Sequence, residues 1–92
     1  MKYAIWGIDG PDGEAKRKIY RAAHIQRLEE LDAMGQVLLA GPLTDKHGSL
    51  IVIEASSLAE AEAFAQSDPY TVYGVFDRVE VHPFQQVLPK GS

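Results

Sequence analysis

The spacing of apolar positions changes character along the chain, and each change falls at a cluster of turn-forming residues. Residues 2–9 are rich in aromatic and β-branched side chains, with Tyr3 and Ile5 on one face against Ala4, Trp6 and Ile8 on the other, which predicts a strand. Asp9-Gly10-Pro11-Asp12-Gly13 ends it. Residues 14–34 contain neither Gly nor Pro and predict one long helix, closed by Gly35 in a left-handed conformation. Residues 36–43 predict a second strand, and Val37-Leu38-Leu39-Ala40 makes it apolar on both faces. The polar stretch 44–48 predicts a hairpin connection into a third strand over 49–55. Ser57 followed by Glu60 forms a capping box ahead of an alanine-rich helix running to about Ser67. Asp68-Pro69 opens a further short turn that ends at Gly74. A fourth strand is expected over 75–82, with Val75, Val79 and Val81 opposite Arg78, Glu80 and His82, stopped by Pro83-Phe84 and followed by a tail from about 85.

The resulting order, βαββαβ, predicts a single α+β domain of ferredoxin-like type: a four-stranded antiparallel sheet with both helices on one face. The first three strands are nevertheless apolar on both faces. An antiparallel sheet with one face in water should alternate instead. A second copy of the same sheet is the simplest cover, so a homodimer joined through sheet faces is expected.

Length and charge narrow the function classes. Ninety-two residues allow one domain. Thirteen acidic against nine basic side chains give a net charge of −4, which argues against nucleic-acid partners. Without cysteine there is no disulfide, thiolate metal site or cysteine nucleophile. Asp9 and Asp12 break the first apolar run, and no run approaches a membrane span, so the expectation is a cytoplasmic protein with no membrane partner. Gly91-Ser92 is set aside as either native or a cloning remnant.

Candidate chemistry centres on the long helix. At 100° per residue, Ala23, Met34, Arg27, Tyr20, Leu31, His24 and Leu28 fall within an arc of about 140°. His24 inside this stripe is either a core histidine or a general acid or base at a pocket between helix and sheet. Asp68 before Pro69 is a natural N-cap, and also a carboxylate able to orient a histidine within about 2.6–3.2 Å. Arg21, nearly one turn before His24, could hold an anionic group at the pocket rim. Tyr70, Gly41 and Pro42, with a dimer partner, are the expected walls. His47 reads as a solvated hairpin residue, His82 as a polar strand position, and Lys16-Arg17-Lys18 as a solvated helix face. The histidine spacings match no metal motif, and no phosphate-binding glycine loop occurs, so no metal or cofactor is expected.

Arg21-Ala22-Ala23-His24, Arg27-Leu28, Leu31, Gly35, Ala40-Gly41-Pro42-Leu43, the capping box, Asp68-Pro69-Tyr70, Gly74 and His82-Pro83-Phe84 follow one another in an order and spacing that resembles the YciI-like family, over about residues 2–87. The resemblance implies a dimeric α+β barrel of ferredoxin-like halves and an active site with a His and an Asp, here His24 and Asp68. It also implies a reaction class: the family includes a dehydrochlorinase of a chlorinated hydroxyhydroquinone, and related barrels include muconolactone isomerases and cofactor-free monooxygenases. Two functions stand side by side. One is a cofactor-independent lyase or isomerase acting on a small, cyclic or aromatic metabolite. The other is a non-catalytic, small-molecule-binding or stress-associated homodimer.

Overall fold

In the computed structural model, which describes residues 1–90, the chain runs β1 (Lys2–Asp9), α1 (Gly13–Ala33), β2 (Val37–Pro42), β3 (Gly48–Glu54), α2 (Leu58–Ser67), α3 (Pro69–Val72) and β4 (Phe76–Phe84). Gly91-Ser92 lies outside the described residues. The four strands form one antiparallel sheet in the order β2-β3-β1-β4, so β1 and β3 are central and the fold is the ferredoxin-like α+β arrangement. Among the described residues no helix is long and apolar enough to cross a membrane.

Local chemistry sets the helix ends. Gly35 adopts φ +72° and donates to Asp32 O (2.8 Å), while Gln36 donates to Leu31 O (3.2 Å), a Schellman closure of α1. At α2, Ser57 Oγ accepts from the Glu60 amide (3.1 Å). The Glu60 carboxylate returns to Ser56, at its hydroxyl (2.6 Å) and amide (3.3 Å), rather than to Ser57 as the simple capping box would have it. Asp68 sits between α2 and α3 in an extended conformation (φ −61°, ψ 132°). Pro69 disfavours helical geometry at the residue before it, so the chain turns there and starts a new helix.

The core forms where Tyr3, Ile5, Ile51 and Ile53 of the central strands meet Leu28, Ala61 and Ala65 of the helices. Each large apolar side chain enclosed there contributes about 1.5–3 kcal/mol. A second cluster gathers Tyr70, Val75 and Phe76 at the end of the sheet nearest α3.

Three departures from the expected strands share one cause, the registry of neighbouring strands. A bulge in β2 pairs Val37 with Ile53 but Leu39 with Val52, so Leu39 lies on the open face and Ala40 on the helix face. A bulge near the start of β4 pairs Asp9 with Phe76 and Ile8 with Arg78, which makes Phe76, not Val75, the strand residue aligned with Val79 and Val81. Pro83 and Phe84 continue β4 by pairing with Tyr3 and Lys2 instead of ending it. A proline fits because β4 is an edge strand and one side of its ladder needs no donor.

The face away from the helices carries Ala4, Trp6, Leu39, Leu50 and Val52, with Arg78, Glu80 and His82 along its β4 margin. Trp6 is 42% exposed and Leu39 53%. Leu38, Leu50 and Phe84 border a cleft of about 510 Å³ on this side, together with tail residues Gln86, Leu88 and Pro89.

Candidate functional site

The buried stripe of α1 is centred on Arg17, His24 and Leu28, with Arg21 beside it. Residues at positions i, i+7 and i+11 differ by only about 20° around a helix. Ala23 and Met34, at the far margin of the expected stripe, are exposed. His24 and Leu28 are buried, and α1 presents them to the cavity side of the sheet.

Asp68 meets His24 from the α2–α3 junction. Nδ1 of His24 lies 2.8 Å from Oδ1 and 2.9 Å from Oδ2 of Asp68, and both residues are at most 5% exposed. Oδ1 also accepts the Tyr70 amide at 2.8 Å, so the carboxylate caps α3 with the same oxygen that receives the imidazole. An ionised carboxylate only accepts, so Nδ1 carries the ring hydrogen and the neutral tautomer leaves its lone pair on Nε2. Nε2 makes no hydrogen bond to the described residues and is not sealed away, which leaves it to the cavity that His24 lines.

Tyr70 completes the support. Its ring stacks on His24 with centroids 3.8 Å apart and planes 5° from parallel, and it meets Phe76 edge-on at 5.5 Å. Burial pushes the Tyr70 phenol above the ordinary tyrosine value, against the pull of the Arg17 and Arg21 charges. The tripeptide Asp68-Pro69-Tyr70 thus supplies a carboxylate, a fixed turn and a ring platform in three consecutive positions.

Arg17 is not part of a solvated face. Its Nε and Nη2 grip the Asp9 carboxylate at 2.7 and 2.8 Å, and Nη2 also donates to Ser49 Oγ at 2.9 Å. The guanidinium lies 5.0 Å from the Tyr70 ring centre and 5.7 Å from that of Phe76. The Asp9 hydrogen bonds raise its pKa above the already high arginine value. The sequence signal was available: Arg17 precedes His24 by seven residues, two helical turns on the same face. Arg27 ties α1 to the end of α2 by donating to Phe64 O (2.8 Å) and Ser67 Oγ, with its guanidinium 4.0 Å over the Phe64 ring.

His24, Tyr70, Arg21, Gly41 and Pro42 line one cavity of about 70 Å³, joined by Arg17 and Ser49, with Asp68 directly behind His24. Gly41 has open space where a Cβ would stand. His47 pairs with Asp45 (3.3 Å) and His82 with Glu80 (3.1 Å) in exposed positions, and neither lines this cavity. No group of three or more potential metal-binding side chains converges among the described residues.

Comparison with known proteins gives this geometry a context. The chain is 38% identical to the protein YciI of Escherichia coli, across 96% of this chain and all of that protein. It is 34% identical to an uncharacterized protein of Haemophilus influenzae, with the same coverage. Among solved structures it is similar to 5-chloro-2-hydroxyhydroquinone dehydrochlorinase from Burkholderia phenoliruptrix in complex with 2,5-dihydroxybenzoquinone. That likeness has a TM-score of 0.82 at 30% identity, over 92% of this chain and 94% of the other. A YCII-related domain model matches residues 1–85, and the chain belongs to that family.

Proposed function

We propose that the protein is a cofactor-independent acid–base enzyme of lyase or isomerase type, acting as a homodimer on a small ring metabolite. The observation that carries this reading is the buried His24, held through Nδ1 by Asp68 with Nε2 left to the cavity. In this reading Nε2 takes a proton from a carbon or hydroxyl of the ligand. The imidazolium so formed gains from the Asp68 carboxylate on one nitrogen and from the Tyr70 π-face beneath it. The proton then returns to another ligand atom in an isomerisation, or goes to solvent when a leaving group departs. The likeness to a dehydrochlorinase supports the second outcome, since loss of HCl pairs removal of a proton with departure of chloride.

A cavity of about 70 Å³ admits the edge of a ring rather than a whole ligand, which ordinarily occupies about 300 Å³ or more. The remaining walls belong, in this reading, to the partner protomer. The apolar open face of the sheet supports that assembly.

The test is a turnover screen. Chloride release from 5-chloro-2-hydroxyhydroquinone, and solvent deuterium incorporation into a set of small cyclic enols and lactones, should reveal a substrate. His24→Ala should then lower turnover by about 10²- to 10⁴-fold while the far-ultraviolet spectrum is unchanged. Full turnover in His24→Ala sinks the acid–base role. Ligand binding that needs His24, with no turnover anywhere in the screen, replaces it with the non-catalytic binding dimer.

A further inference from the structure

Ser49 occupies a position on the helix face of β3 where the strand otherwise presents Ile51 and Ile53 to the core. Its partners across the ladder are Gly7 and Pro42, neither of which offers a side-chain acceptor. The residue is 2% exposed, and its Oγ receives a hydrogen bond from Arg17 Nη2 at 2.9 Å. A hydroxyl that accepts from a guanidinium keeps its own O–H as a donor. That O–H donates no hydrogen bond to the described residues, and leaving a buried donor unmade is costly. Ser49 lines the His24 cavity, so an acceptor can arrive there with a ligand.

Charge points the same way. No carboxylate among the described residues lines the cavity: Asp68 lies behind His24, and Asp9 lies behind Arg17. Arg17 is neutralised by its two bonds to Asp9 and fixed over two aromatic rings, so it serves Ser49 as a positioning residue. Arg21 at the rim makes no ion pair among the described residues, and its charge is the one left uncompensated beside the cavity.

We propose that Ser49, held by the Asp9–Arg17 pair, and Arg21 together form an oxyanion-binding subsite of the His24 cavity. The ligand is then a small ring bearing an ionised oxygen (an enolate, phenolate or carboxylate). The inference rests on the reading of this cavity as the ligand site, and it adds the ligand's charge and the residues that select it.

2,5-Dihydroxybenzoquinone, a coloured ring with two acidic enolic hydroxyls, is a suitable probe, with hydroquinone as a comparator that is uncharged at neutral pH. In spectroscopic or calorimetric titrations of the whole protein, Ser49→Ala should weaken dihydroxybenzoquinone binding about tenfold or more. Arg21→Gln, an exposed substitution that leaves the core intact, should weaken it about threefold to tenfold and flatten its salt dependence. Arg21→Lys should recover part of the loss, because the charge is kept. Hydroquinone should bind less tightly, with the two variants within about twofold of the wild type. The inference is overturned if neither Ser49→Ala nor Arg21→Gln weakens dihydroxybenzoquinone, if hydroquinone binds as tightly, or if the wild type binds neither compound at millimolar concentration. His24→Ala in the same titrations separates the two ideas. Binding that needs His24 but not Ser49 or Arg21 removes the oxyanion subsite alone. Binding that needs Ser49 and Arg21, with turnover indifferent to His24, removes the acid–base reading alone.

Discussion

Asp68 has two duties that one substitution can separate. It caps α3 through the Tyr70 amide and holds His24 through both carboxylate oxygens. Asparagine is about as good an N-cap as aspartate, but it cannot stabilise an imidazolium. Asp68→Asn should therefore cost less than about 1 kcal/mol in urea unfolding, while lowering turnover by about 10²-fold or more. Equal losses of stability and activity would mean that the carboxylate is only a cap. Tyr70 offers a pH test at the same place. Burial raises its pKa above the value of about 10 found in an unfolded chain. Above that value the unfolded chain gives up a proton that the folded protein keeps. The contribution is therefore fully present below about pH 10 and is lost as pH rises through the folded value. Unfolding midpoints should fall between about pH 9 and pH 11, and Tyr70→Phe should make that fall shallower. An identical fall in both proteins would rule out Tyr70 as its source.

The helix ends and the β1–β4 contact separate folding from ligand binding. Gly35 has φ +72° and nothing within 4 Å of the place a methyl group would take, so Gly35→Ala meets only the backbone cost of about 1–2 kcal/mol. Ser57→Ala should remove about 0.5–2 kcal/mol through the lost cap. Neither should change binding of the probe ring. Gly7→Ala should differ, because a Cβ there would crowd the Phe76 ring at 2.4 Å. Overpacking of this kind costs about 1–3 kcal/mol, and Phe76 braces Tyr70 edge-on, so the displacement reaches the His24 platform. Weaker probe binding in Gly7→Ala, with Gly35→Ala unchanged, is the expected pattern. The reverse would place the site's support elsewhere. The exposed Glu60 carboxyl adds a small acid-side effect. Its bonds to Ser56 hold its pKa below the usual glutamate value. That contribution is present above about pH 4.3 and is lost as pH falls through the folded value.

The whole molecule presents one sheet face to the helices and leaves the other with Trp6, Leu39 and Leu50 in the open. Water against such a surface is unfavourable, and isologous pairing would cover it. Sedimentation equilibrium should find a dimer at micromolar concentration, and Leu50→Lys should yield a folded monomer. A monomeric wild type would leave the His24 cavity to be completed by its own chain. On the proposed assembly, in which a partner completes the cavity, the Leu50→Lys monomer should also bind the probe ring more weakly, and unchanged binding would remove the partner from the site.

The order of elements and most of their ends were legible in the residues because those signals are local. A positive φ at Gly35, an N-cap at Ser57 and the Asp68-Pro69 break each depend on one or two residues and their own backbone. The His24 stripe was legible for a similar reason, since helical periodicity needs no partner. The bulges in β2 and β4 were not legible, nor was the passage of β4 through Pro83, because an extra or proline residue in a strand is judged only against the strand beside it. Arg17 read as a solvated charge, and Ser49 as an ordinary strand residue, for the same reason. Their partners lie 8 and 32 positions away in sequence, and His24 and Asp68 lie 44 apart. The residues already named Asp68, an N-cap at the start of the short turn, as the carboxylate able to reach His24, and the fold brings the two to 2.8 Å. Sheet registry and the packing of α1 across it settled which hydroxyl shares the cavity and which arginine holds it, because hydrogen bonds act over about 3 Å whatever the separation along the chain.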